Sequence, residues 1–194
     1  LNLKKNLPSL ILSITEKVKN KYNFFNVYFQ DETRLGLVTL NGKALTAKGV
    51  KPICTFQHKF ENTYLFGAYS PINEASLTLQ LPNCDTESFQ IFLTELSCQS
   101  PKEYKIIILD NGSFHKAKRL IVPENIYLVF LPPYSPELNP AEKIWAKIKR
   151  QLKLKHFKTL NDLIDCVCEK VKNELTMLEI ISITRYEVYS NLFG

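Results

Sequence analysis

No stretch of the 194 residues stays apolar for the roughly 20 positions that a membrane-spanning helix needs. Residues 1–20 carry charges and a proline where a signal peptide would have its hydrophobic core. The expectation is therefore a soluble, cytoplasmic protein with no membrane partner. Paired cysteines are missing as well: Cys54, Cys84, Cys98, Cys166 and Cys168 are odd in number and never spaced C-x-x-C. This argues against a structural zinc site and against disulfides, and predicts thiols that act as small buried hydrophobes. Internal repeats and low-complexity tracts are absent too. Methionine occurs once, at Met177, so an upstream start, an alternative start at Leu1 or a frameshift is expected.

What is present suffices for one core. At 194 residues and 45% hydrophobic content, one well-buried domain fits and two of ordinary size do not. Apolar spacing predicts a helix over residues 8–22, with Pro8 near its start. Strands are predicted at 24–30, 36–40, 52–57, 63–69 and 76–81 in consecutive antiparallel pairs, with Asn41-Gly42 as a turn. Asp85 is placed to cap a helix running to about Ser97. A strand at 105–109, a short helix at 113–120 and a strand at 126–131 follow. Helices at 140–154 and 160–175 come last, the second capped by Thr159 and Asp162. Antiparallel strands that give way to alternating strands and helices predict an α/β fold: a mixed five-stranded sheet with helices on both faces.

Three acids stand where these elements meet loops. Asp31 and Asp110 each follow an apolar run, 23–30 and 105–109, so they are expected at strand carboxyl ends, where open α/β sheets bind ligands. Glu142 follows the rigid segment Pro132-Pro133-Tyr134-Ser135-Pro136. There Asn139 can cap a helix with Pro140 first and Glu142 third, so Glu142 is also readable as a capping acid. On that helix Ile144, Trp145, Ile148 and Leu152 share one face, and Ala146 leaves room beside Glu142.

The formal charge is +6, unevenly spread. Residues 143–158 contain seven basic side chains and no acid. A solvated helix face would look the same. Because the stripe runs away from Glu142, Lys143, Lys147, Lys149, Arg150 and Lys153 are read as a track for DNA phosphates.

The strings FQDE (29–32), LDNGSFH (109–115) and LPPYSPELNPAEKIW (131–145) resemble the three catalytic blocks of mariner-type DDE transposases of bacterial insertion sequences. The likeness covers about residues 24–155, and the third block is its most specific part. It implies a ribonuclease H-like fold, with residues 1–22 as a linker helix and 23–194 as the catalytic domain. Asp31, Asp110 and Glu142 would be the catalytic metal ligands for two Mg²⁺ ions, with Mn²⁺ able to substitute. Asn111 and His115 would be supporting residues, and Glu32 a neighbour that tunes the site. The implied activity is metal-dependent DNA cleavage and strand transfer at a preferred TA target. Double-stranded DNA would be the partner, and a homodimer the assembly. The Asp110 to Glu142 spacing is shorter than is usual in the family. Its N-terminal helix-turn-helix is absent from these residues, so a DNA-binding segment encoded upstream is expected. Two rivals remain open: another ribonuclease H-like nuclease, and an inactive remnant that only binds DNA or a partner.

Overall fold

The computed structural model describes residues 3–38, 48, 57–73, 75–133 and 135–184. The expected Asn41-Gly42 turn, Cys54, Tyr134 and all but Gln57 of the strand at 52–57 lie outside these residues. Five strands make one sheet: β1 (Phe24–Val38), β2 (His58–Tyr69), β3 (Ser76–Leu81), β4 (Glu103–Leu109) and β5 (Ile126–Phe130). Their spatial order is β3-β2-β1-β4-β5. β1 is central, antiparallel to β2 and parallel to β4, while β4 and β5 are parallel. This is the mixed five-stranded sheet expected from the sequence.

Period-two alternation sends neighbouring residues of each strand to opposite faces, and each face has its own core. Val27, Phe29, Ile106 and Ile108 pack on one side with α1 (Leu3–Val18), α3 (Ala141–Leu152), α4 (Leu160–Glu174) and α5 (Met177–Thr184). Tyr28, Phe66, Ile107 and Leu109 pack on the other with α2 (Thr86–Gln99). β4 is buried from Tyr104 to Leu109, Lys105 included, and its Ile106–Leu109 run has the apolar pattern of a strand buried on both faces. Ile144, Trp145, Ile148 and Leu152 form the buried face of α3, each contributing roughly 1.5–3 kcal/mol by leaving water. Asp85 caps α2 by accepting from the Ser88 amide at 2.9 Å. Thr159 and Asp162 form a reciprocal capping box on α4.

Several expectations are corrected. The strand predicted at 24–30 and the described part, 36–38, of the one predicted at 36–40 are one continuous β1, because Thr33, Leu35 and Leu37 keep alternating into the core through the polar run. Asp31 is consequently mid-strand and not at a strand end. α1 begins at Leu3, with Pro8 inside it, and Leu7 and Ile14 join the core. The segment after β4 forms only a 3-10 turn, Ser113–Lys116. The four described cysteines are free but not buried: Cys98 and Cys168 are exposed, Cys84 and Cys166 half-buried.

Candidate active site

The last paired residues of β1 and β4 are Phe29 and Ile108. Two residues further on, Asp31 and Asp110 stand level, the first still within β1 and the second just past the end of β4. From this point β1 continues paired with β2 alone. Gly67 is the β2 partner of Asp31. A Cβ there would lie 2.6 Å from Trp145 Cζ2 and from the Tyr69 ring, so glycine is what lets Trp145 of α3 come down over this part of the sheet.

Glu142 reaches the same end of the sheet from the first turn of α3. Asn139 fixes that turn. Its Nδ2 donates to the Gln30 carbonyl at 2.7 Å, and its Oδ1 accepts from the Ala141 amide at 3.2 Å. Pro140 is already helical and Asn139 caps the helix start, as expected, but among the described residues the Glu142 carboxylate makes no bond back to the Asn139 amide. The capping-acid alternative for Glu142 is thereby corrected: its carboxylate is exposed at the helix start.

The electrostatics connect the three acids. Burial, then the charges of Glu32, Glu142 and Asp110, push the Asp31 carboxyl up to about 8. Burial and the charge of Asp110 raise Glu142 as well. Asp110 is held in the opposite direction by His115 and by the Gly112 amide, which donates to Oδ1 at 2.9 Å. An open cleft of about 590 Å³ is lined by Asp110, Asn111, Lys116, Asn139 and Glu142 among others. Asp31 is not among its lining residues. As the side chains stand, no three acidic, histidine or cysteine groups among the described residues are gathered closely enough to hold an ion.

His115 is 2% exposed. Its Nε2 lies 2.9 Å from Glu32 Oε1, and its Nδ1 lies 3.0 Å from Asp110 Oδ1. The second contact is out of line for a hydrogen bond and acts as a charge contact. Burial alone would lower the imidazole pKa, but the two carboxylates outweigh it and raise it to about 9. Asn111 ties loops together: Nδ2 donates to the Leu131 carbonyl beyond β5, and Oδ1 accepts from Lys116. Lys116 Nζ also lies 4.8 Å from the centre of the Phe130 ring. Sequence reasoning missed Lys116, which the short 3-10 turn brings to the cleft.

The basic stripe of α3 is not uniform. Lys143, Arg150 and Lys153 are exposed and Lys149 is half-buried. Lys147 instead pairs with Glu179 of α5, a helix the sequence did not reveal.

Comparison with known proteins gives the family and the fold. An uncharacterized protein of Sinorhizobium fredii is 39% identical over 107 residues, 54% of this chain and 79% of that relative. The Mos1 transposase paired-end complex with left transposon end superposes with a TM-score of 0.66 at 16% identity, covering 98% of this chain. The Mos1 mariner paired end complex with Mn gives 0.64 at 17% identity, covering 97% of this chain and 58% of that one. The chain thus spans 61% of the length of the first Mos1 chain, and the likeness identifies the sheet and its helices as the ribonuclease H-like fold. The family model described as DDE superfamily endonuclease matches residues 26–164, more than half of the sequence, and the chain belongs to that family.

Proposed function

We propose that this chain is the catalytic part of an insertion-sequence transposase, which cuts DNA at element ends and joins the freed 3′ hydroxyl to a target strand. One observation carries the reading. Asp31 from the central strand, Asp110 level with it just past β4, and Glu142 from the first turn of α3, which Asn139 anchors to Gln30, lie at one end of the sheet in a DDE superfamily chain.

The donor set fits a divalent metal. All three side chains offer hard oxygens, which suit magnesium or manganese. Burial and then the neighbouring carboxylates raise the Asp31 carboxyl, and a bound cation would favour its charged form. Because no three groups converge as they stand, binding requires rotation of the exposed Glu142 side chain toward Asp110. When bound, such ions activate water or a 3′ hydroxyl and stabilise the leaving oxygen.

The chain's own residues do the positioning. Gly112 and His115 hold Asp110, while Asn139 anchors the turn that carries Glu142 to β1. Lys143, Lys149, Arg150 and Lys153 supply phosphate contacts along α3, and Lys116 adds one at the cleft rim. Lys147 is left out of this set because Glu179 occupies it. The Mos1 complexes are described with a left transposon end and with Mn; transposon DNA and Mg²⁺ or Mn²⁺ are proposed here in turn. End recognition by an N-terminal segment encoded upstream, a homodimeric assembly and action in the cytoplasm belong to the same reading.

The test is nicking of supercoiled plasmid and of labelled duplex. Wild-type protein should cut with Mg²⁺ or Mn²⁺ and stop with EDTA, and Asp31→Asn and Asp110→Asn should not cut. Cleavage by Asp110→Asn at the wild-type rate would overturn the assignment. Equal cutting of any duplex would indicate a general nuclease, and folded protein that binds DNA without ever cutting would indicate a remnant.

A further inference from the structure

Glu32 and Asp31 are adjacent in β1, so the pleat sends them to opposite faces of the sheet. Asp31 looks toward the α3 side. Glu32 lies on the α2 side, where its side chain is only 10% exposed and its Oε1 meets His115 Nε2 at 2.9 Å. The same oxygen accepts from Gln30 Nε2 at 2.7 Å, which fixes the carboxylate from below. His115 is clamped between aromatic rings, with centroids 4.4 Å from Phe89 and 4.1 Å from Phe114. Its other nitrogen reaches Asp110 Oδ1 at 3.0 Å. Gly112 completes the enclosure: a Cβ there would come within 3.0 Å of His115 Nδ1 and 3.2 Å of Asp110 Oδ1.

We infer that Glu32 is a positioning residue: through His115 it fixes the orientation of Asp110 from the opposite face of the sheet and does not itself hold a metal. The inference rests on the reading of Asp110 as a metal ligand. A carboxylate on the far nitrogen of an imidazole sets the ring's orientation, as outer-shell carboxylates do at metal sites generally. Here the imidazole stands one step further out, against the ligand carboxylate. On this inference Glu32 acts through the reach and acceptance of its oxygen, and its charge, which also favours the protonated imidazole, is the rival contribution that the Gln variant removes.

Two substitutions separate those properties. Glu32→Gln keeps the reach and an accepting oxygen but loses the charge. Glu32→Asp keeps the charge but withdraws the oxygen by one methylene. Mn²⁺ affinity would be measured by calorimetry on the DNA-free protein, with unfolding by denaturant followed in parallel. Gln is expected to stay within about threefold of wild type, whereas Asp should lose about tenfold to a hundredfold, the range for outer-shell partners. His115→Ala should lose as much as Asp does, and adding Glu32→Asp to it should cost nothing further. The inference is overturned if Asp binds like wild type, if Gln is the impaired variant, or if the double variant loses the sum of both effects. Asp110→Asn is the control: unchanged Mn²⁺ affinity in that variant would sink the metal-ligand reading itself, independently of Glu32.

Discussion

Asn139 at the start of α3 donates 2.7 Å across to the backbone carbonyl of Gln30, the residue before Asp31. This bond sets where Glu142 sits relative to the central strand, and Asn139 is 3% exposed. Replacing it with Ala leaves the Gln30 carbonyl buried without that donor, at a cost of about 1–3 kcal/mol. Asn139→Ala should unfold at lower urea and lose DNA cleavage by more than its folded fraction explains. Wild-type cleavage by that variant would show that the helix start is held by other contacts.

Gly67 offers a second way to displace α3. Gly67→Ala forces a methyl group to within 2.6 Å of Trp145 and Tyr69, and overpacking of this kind costs about 1–3 kcal/mol. Urea denaturation should show that loss, and cleavage should fall with it because Trp145 and Glu142 share one helix.

Glu142→Gln separates charge from structure. Burial and the charge of Asp110 already raise this carboxyl, so removing its charge should not lower the melting temperature. Cleavage should nevertheless disappear. A stable variant that still cuts would move attention to the nearby Glu137.

The DNA track predicts a difference between neighbouring lysines. Alanine at Arg150 or Lys153 should each reduce the salt dependence of duplex binding, by about one unit in the slope of log affinity against log salt. Lys147→Ala should leave that slope unchanged, because Lys147 is bound to Glu179. Losing this partly exposed pair should cost about 0–1 kcal/mol of stability. Fluorescence anisotropy at several salt concentrations distinguishes the two cases.

At the α2 cap, the Ser88 backbone amide and side chain lower the Asp85 pKa. A depressed folded-state pKa means stability that is present above the unfolded value, about 3.9, and lost as pH falls through the lower folded value. Asp85→Asn keeps an accepting oxygen but cannot titrate. Its stability should therefore fall less than that of wild type between pH 4 and pH 2 by circular dichroism.

The legible parts of this molecule were those with local signals. Asp85, Thr159 and Asp162 declare helix starts by side-chain chemistry alone, and the buried face of α3 follows from its spacing. β1 was misread because Gln30-Asp31-Glu32-Thr33-Arg34 has the polarity of a strand end, yet Thr33 alternates with Arg34 as a half-buried strand requires. Lys105 hides equally well. It begins a run read as apolar and is 0% exposed, its Nζ donating to the Ser100 carbonyl at 2.6 Å. Nothing local could pair Glu32 with His115, 83 residues apart. The three acids were found by their strings, and the level placement of Asp31 and Asp110 came only with the β1–β4 register.

The bond between Asn139 and Gln30 spans 109 positions of the chain. Contacts of such separation form late, after the loop-closure entropy of everything between them has been overcome. β1, β2 and β3 can pair as they emerge from the ribosome, but the acid on α3 cannot join them until residues beyond 142 have been made. A chain that ends between residues 110 and 141 therefore carries Asp31 and Asp110 without Glu142 and, on the proposed reading, has no assembled site with which to cut the DNA that encodes it.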